Sequence, residues 1–160
     1  MVFSIIIVGI SFLLDGFVSL FPSPFLGYIY MMPLFTLISL VAVLPIVSDL
    51  NFNYYKLCGV AGLFYDLVYT NTLFLNMILF LFIGYTIKNY YRYFNNNIVN
   101  GLLAALITVV LYKTLSFAVL ILIGYLNFEM VYLTSKSMDL LFLNIFYFAV
   151  LFNVVNLINN

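Results

Sequence analysis

The chain is built from long apolar runs, and this pattern limits what it can fold into. The runs continue over roughly 16 to 25 residues without the alternation that barrel strands show. Of the 160 residues, 67% are hydrophobic and 6% are charged. Such a chain lacks the polar residues that cover a water-soluble protein. The sequence therefore predicts an all-α, polytopic membrane protein, a six-transmembrane-helix bundle in which residues 1–160 form a single integral-membrane domain.

Six helices are predicted, over residues 2–21, 33–50, 54–69, 72–91, 98–126 and 138–157. The first is interpreted as a retained helix, because no Lys or Arg precedes it and no small-residue cleavage site follows it. Pro33 suits the first turn of the second helix, and Pro45 should kink or end that helix. The third helix, at roughly 24 Å, is short against a hydrocarbon core of about 30 Å. It is expected to be thin, re-entrant or packed against protein.

The basic residues predict an orientation. Lys88 and Arg92 follow the fourth helix, beside the polar run 95–97. Basic residues favour the cytoplasmic side of a membrane protein. With six spans, this tendency places both termini in the cytoplasm.

The composition also argues against several function classes. Cys58 is the one cysteine, and the chain contains no histidine. Histidine is the commonest metal ligand and the usual imidazole base, so its absence argues against zinc, haem and imidazole-base chemistries. With only five dispersed basic residues, the chain lacks the charge pattern of a nucleic-acid binder. We therefore expect no metal, no cofactor, no catalytic residues and no contact with nucleic acid.

Three charged residues, Asp15, Asp66 and Lys113, lie inside apolar stretches. Their distance along predicted helices 1, 3 and 5 puts all three at a similar depth, roughly 18 to 22 Å from the inner ends. An intramembrane charge is expensive and usually has a partner or a function. The three form a candidate intramembrane polar centre. One interpretation is an ion pair that fixes helix register, and the other is a polar cavity for a ligand, ion or proton.

Small residues mark two candidate packing faces. Gly59, Gly62 and Asp66 share one face of the third helix, and Gly101 and Ala105 share a face of the fifth. Small residues let another helix backbone approach closely. Packing within the chain is the favoured interpretation, and contact with a partner is the alternative. Asp66 can in addition cap, or accept hydrogen bonds from, the backbone N–H groups of a neighbouring loop.

The central segment resembles the MreD family of bacterial rod-shape-determining membrane proteins. The resemblance lies in Gly59-Val-Ala-Gly62-Leu63-Phe-Tyr-Asp66, the turn from Asn71 to Asn76, and Phe82-Ile83-Gly84-Tyr85. Pro33 at the start of the second helix also fits. Phe74 departs from the pattern, because many members are expected to have a glycine there. The motif residues that match are Gly62, Leu63, Asp66, Asn76, Gly84 and Tyr85.

The resemblance implies a noncatalytic component of the cell-elongation complex in the bacterial cytoplasmic (inner) membrane. It implies MreC as partner and, through MreC, the MreB filament and the glycosyltransferase and transpeptidase pair that makes peptidoglycan. Gly84 and the faces of Gly59/Gly62 and Gly101/Ala105 are then candidates for contact with the MreC transmembrane helix. On this hypothesis, a bulky residue at Gly62 abolishes co-purification with MreC while the protein still accumulates.

The residues leave two other classes of function open. The first is a small-molecule binder that resembles the vitamin-capture subunit of an energy-coupling-factor transporter, with the three charged residues as polar contacts. Such a subunit needs an Ala-x-x-x-Ala-like coupling face on helix 1. Helix 1 of this chain carries no clear copy of it, which argues against that interpretation. The second is a lipid-modifying enzyme, for which the sequence offers no paired carboxylate motif and no acyl nucleophile.

Overall fold

The computed structural model describes residues 2–20, 33–47, 51–70, 74–94, 97–124 and 138–159. These residues form six α-helices and no strand, as the sequence predicts. The helices are α1 (Val2–Ser19), α2 (Phe35–Val47), α3 (Asn51–Tyr69), α4 (Leu75–Tyr93), α5 (Ile98–Leu122) and α6 (Met138–Asn159). By length and apolar composition, α1 and α5 can each cross a membrane, while α2 and residues Leu141–Leu157 of α6 are shorter apolar segments.

Polar side chains lie inside the bundle and large apolar side chains lie outside. The fully or nearly fully buried polar residues are Ser4, Ser11, Asp15, Thr36, Ser39, Asp66, Asn76, Thr108 and Asn144. Exposed Leu, Ile, Val or Phe side chains lie on every helix except α2. Buried polar groups beneath an apolar surface suit a bundle that faces lipid.

Helix α2 is the centre of the bundle. All its residues from Phe35 to Leu44 are buried, and it contacts each of the other five helices. A helix that is hydrophobic on all sides is buried on all sides, which agrees with this position.

The predicted start of the second helix at Pro33 is wrong, and residues 48–50 of the predicted span lie outside the described residues. Helix α2 begins two residues after Pro33 and ends at Val47, two residues after Pro45. Its 13 residues span only about 20 Å, which is shorter than a hydrocarbon core of about 30 Å. Leu34 and Phe35 are 4% and 6% exposed, so α2 begins inside the protein. Its first N–H groups therefore need acceptors from other helices.

Helix α4 begins at a strained residue. Phe74 precedes it with φ 64° and ψ 0°, a left-handed conformation that side chains with a Cβ adopt at a cost. This is the position where the family resemblance leads us to expect glycine. The turn thus keeps a conformation suited to glycine although phenylalanine occupies it.

We predict that Phe74→Gly is more stable than Phe74→Ala by about 1 kcal/mol, because both remove the ring and only alanine keeps the Cβ penalty. The free energy of unfolding in detergent, measured by denaturant titration, tests this. Equal stability of the two variants would contradict the left-handed turn.

Candidate functional site

The first polar site lies where α1 meets the start of α2. Asp15, 3% exposed, accepts hydrogen bonds from the backbone N–H of Phe35 (2.7 Å) and the N–H of Thr36 (2.8 Å). The Thr36 hydroxyl also donates to this carboxylate, at 2.5 Å. The first N–H groups of a helix lack intrahelical acceptors and carry partial positive charge. Asp15 satisfies two of them and balances the charge at the N-terminus of α2.

Helix α6 completes the start of α2. The Leu34 N–H donates to Oδ1 of Asn144 at 3.1 Å. The ring of Tyr147 packs on Phe35 with 4.3 Å between centroids, and its hydroxyl lies 2.7 Å from Oγ of Ser11. Among the described residues, Nδ2 of Asn144 has no hydrogen-bond partner. Three helices therefore meet at the buried end of α2.

The second polar site repeats this arrangement between α3 and α4. Asp66, 3% exposed, accepts from the N–H groups of Asn76 and Met77, each at 3.0 Å. The side-chain amide of Asn76 and the hydroxyl of Thr70 also donate to it, at 2.9 and 3.1 Å. Asp66 therefore accepts from backbone N–H groups, as predicted, but these groups belong to the first turn of α4 and not to a loop.

Asn76 extends the second site to α5. Its Oδ1 accepts a hydrogen bond from the Tyr112 hydroxyl at 2.7 Å, while its Nδ2 also donates to Thr70 at 3.1 Å. Asn76 is 1% exposed, so both ends of its amide are satisfied inside the protein. The side chain ties the start of α4 to α3 and α5.

Aromatic rings connect the two sites. The Tyr69 hydroxyl donates to the carbonyl of Phe12 at 2.5 Å, and the two rings pack 4.8 Å apart. From Tyr69 the contacts continue through Tyr65 and Phe80 to Tyr112, with centroid distances of 5.0, 5.5 and 6.0 Å. The ends of α1 and α3 therefore lie at the same level as Tyr112 of α5.

One interpretation of the polar centre pairs Lys113 with Asp15 or Asp66. In the ranges that the structure describes, the partners found for Asp15 and Asp66 are N–H groups, hydroxyls and an amide. Lys113 lies next to Tyr112 on α5 and is partly buried, without joining either group. The sequence predicts a similar depth for Asp66 and Lys113. The hydrogen bond between Asn76, a partner of Asp66, and Tyr112, the neighbour of Lys113, agrees with that depth. The first N–H groups of α2 and α4 donate to the two buried carboxylates.

Most of the small-residue faces pack within the chain. A Cβ added to Gly62 would lie 2.6 Å from the backbone of Asn76 and Met77, and one added to Gly84 would lie 2.8 Å from Sγ of Cys58. At Gly101 it would meet the ring of Phe148 at 2.6 Å, and Ala105 on the same helix is 1% exposed. The hypothesis that a bulky residue at Gly62 removes only a partner contact is therefore wrong. It would first disrupt the α3–α4 pair.

Gly59 differs from these positions. A Cβ there would meet only the side chain of Leu81, at 3.6 Å, which is ordinary van der Waals contact. Gly59 and Leu63 line a lateral groove between α3 and α4.

Comparison with known proteins decides the family. The sequence model described as rod shape-determining protein MreD matches residues 1–159. This chain belongs to the MreD family. No curated protein and no solved structure gives a match. The MreD family assignment makes the chain a membrane protein that takes part in determining cell shape.

The residues on which the family resemblance rests now have structural positions. Gly62 allows the close approach of α4. Asp66 caps α4 by accepting a hydrogen bond from the backbone N–H of Asn76. Gly84 packs on Cys58, while Tyr85 is exposed. The motif therefore describes how the α3–α4 pair closes.

Sequence reasoning missed several residues of the polar sites, among them Thr36, Tyr112 and Asn144. A lone amide inside an apolar run is the same signal that drew attention to the charged residues, so Asn144 could have been found in this way. Thr36 follows Pro33 near a helix start, where hydroxyl residues are common. For Tyr112 no pattern in the sequence distinguishes it from the other tyrosines.

We predict that Asp15→Asn and Asp66→Asn each lower the free energy of unfolding by about 1–3 kcal/mol, because an amide accepts at only one atom and leaves a buried donor unpaired. Lys113→Gln should change it by less than about 0.5 kcal/mol. A double-mutant cycle between Asp15→Asn and Lys113→Gln measures coupling. A coupling energy above about 1 kcal/mol would restore the ion-pair interpretation.

We predict that Gly62→Ala costs about 1–3 kcal/mol through overpacking, while Gly59→Ala is close to neutral. Thermal unfolding and membrane accumulation of the two variants test this. Wild-type stability of Gly62→Ala would contradict the close contact between α3 and α4.

Proposed function

We propose that this chain is the polytopic, noncatalytic component of the rod-shape complex and that it helps to organise peptidoglycan synthesis by holding MreC. The observation that supports this most is the MreD match over residues 1–159. Most of the matched residues lie in the six described helices. A chain of this kind offers its lateral helix faces, more than its loops, to other proteins.

We further propose six membrane spans with both termini in the cytoplasm of a bacterial cell. Helices α3 and α4 pack antiparallel, which brings Lys56, Lys88 and Arg92 to one end of the bundle. The positive-inside tendency assigns this end to the cytoplasm. The short helix α2 is then the second span, and its N-terminus lies at the level of the two carboxylates.

The buried carboxylates serve as structural groups in this proposal. Asp15 and Asp66 are engaged at the N-termini of α2 and α4, so they stabilise the bundle in place of holding a vitamin or an ion. Cys58, the one thiol, is fully buried and unsuited to attack a lipid substrate. Both features fit a scaffold better than a transporter subunit or an enzyme.

For the MreC contact we propose the outer face of α1. Gly9 lies on this face, and beyond its own helical turn no described atom comes within 4 Å of an added Cβ. Glycine costs about 1 kcal/mol relative to alanine in a helix interior. Ile5, Ile6, Ile10 and Leu13 are exposed around it. A glycine among exposed apolar side chains allows a second helix to approach closely.

Gly9→Leu tests the proposed face. Because the new side chain meets no other part of the described bundle, the protein should accumulate normally, and co-purification of MreC should fall at least tenfold. The control Val110→Phe adds bulk to an exposed position on α5 and should leave MreC co-purification unchanged. Unchanged recovery of MreC with Gly9→Leu would exclude the α1 face.

Depletion of the chain from its own bacterium tests the function itself. The cells should lose rod shape and become round, and a wild-type copy should restore the rods. Retention of rod shape after depletion would contradict the proposed function, whichever face MreC uses.

A further inference from the structure

A lateral groove runs between α3 and α4 on the outside of the bundle. Its volume is about 420 Å³, and its wall is formed by carbon atoms. The groove extends over about two turns of α3, roughly 12 Å. The residues that line it include Lys56, Gly59, Val60, Leu63, Met77 and Leu81. An apolar groove of this shape admits a flexible hydrocarbon chain.

Two lysines stand at one end of this groove. Lys56 is exposed and lines the groove with its side-chain stem. Lys88 places Nζ 5.1 Å from the ring centroid of Tyr55, which also lines the groove. Asp66 lies beyond the other end of the groove, at the start of α4. The groove therefore joins an apolar wall to a positively charged rim.

Gly59 keeps the groove open. Its missing side chain leaves space beside Leu81, and alanine there would make only ordinary contact. The close approach of the two helices depends on Gly62 and Gly84 instead. Helix packing therefore does not require glycine at position 59.

We propose that the groove binds an anionic phospholipid, with one acyl chain along Gly59 and Leu81 and the phosphate between Lys56 and Lys88. Basic pockets between helices on the cytoplasmic side suit anionic headgroups, and the lysines lie at the end that positive-inside assigns to the cytoplasm. A partner helix would use the apolar wall alone and gain nothing from the charged rim. The combination of both features favours a lipid.

Native mass spectrometry of the purified protein, titrated with phosphatidylglycerol or phosphatidylcholine of identical acyl chains, tests this site. Wild type should bind phosphatidylglycerol more tightly. The double variant Lys56→Gln/Lys88→Gln should lose roughly tenfold or more of that affinity, given about 1 kcal/mol per basic residue. Arg92→Gln is the matched control, since it removes an exposed positive charge at the same end of the bundle outside the groove.

Gly59→Leu tests the acyl-chain part of the site. It should weaken both lipids at least fivefold, while Gly59→Ala should bind them as wild type does. If the double lysine variant fails to fold, the wild-type preference for phosphatidylglycerol and the Gly59 pair still test the proposal. Equal binding of the two lipids by wild type, an equal loss with Arg92→Gln, or full binding by Gly59→Leu would overturn it.

Discussion

The structure depends on closing two helix N-termini away from water. Helices α2 and α4 both begin among packed side chains, and their first N–H groups would be costly if left unpaired. In each case an aspartate near the end of the preceding helix supplies the acceptors. A buried carboxylate is itself expensive in a membrane, and the N–H groups and helix dipole compensate it. The carboxylate and the helix N-terminus thus stabilise each other in both places.

This arrangement explains why intramembrane polarity appears where it does. Asp15 joins α1 to α2, Asp66 joins α3 to α4, and Asn76 and Asn144 bring in α5 and α6 at the same level. The aromatic contacts from Phe12 to Tyr112 fill the space between the two sites. Because the polar groups are used for architecture, the outer surface remains available. The face around Gly9 and the groove at Gly59 are the parts of that surface with features that packing alone does not explain.

Much of the fold could be predicted because apolar runs and Pro positions are local signals. The role of Asp66 was also accessible, since its target lies ten residues away across one turn. The role of Asp15 could not be predicted, because its hydrogen-bond donors are on a helix that begins later than Pro33 suggests. A carboxylate in the sequence also does not reveal whether it faces a lysine or a helix N-terminus. Gly62 and Gly101 indicate that another helix approaches closely, but the sequence does not identify that helix. The structure shows that α4 lies against Gly62 and α6 against Gly101.

Amide hydrogen exchange in nanodiscs, resolved by NMR, tests the capping of α2 and α4 most directly. The N–H groups of Phe35, Thr36, Asn76 and Met77 should exchange as slowly as those in the middle of their helices. The first turn of α5, whose N-cap Asn97 makes no side-chain cap hydrogen bond, should exchange much faster and serves as the internal reference. Equally fast exchange at all three helix starts would contradict the account.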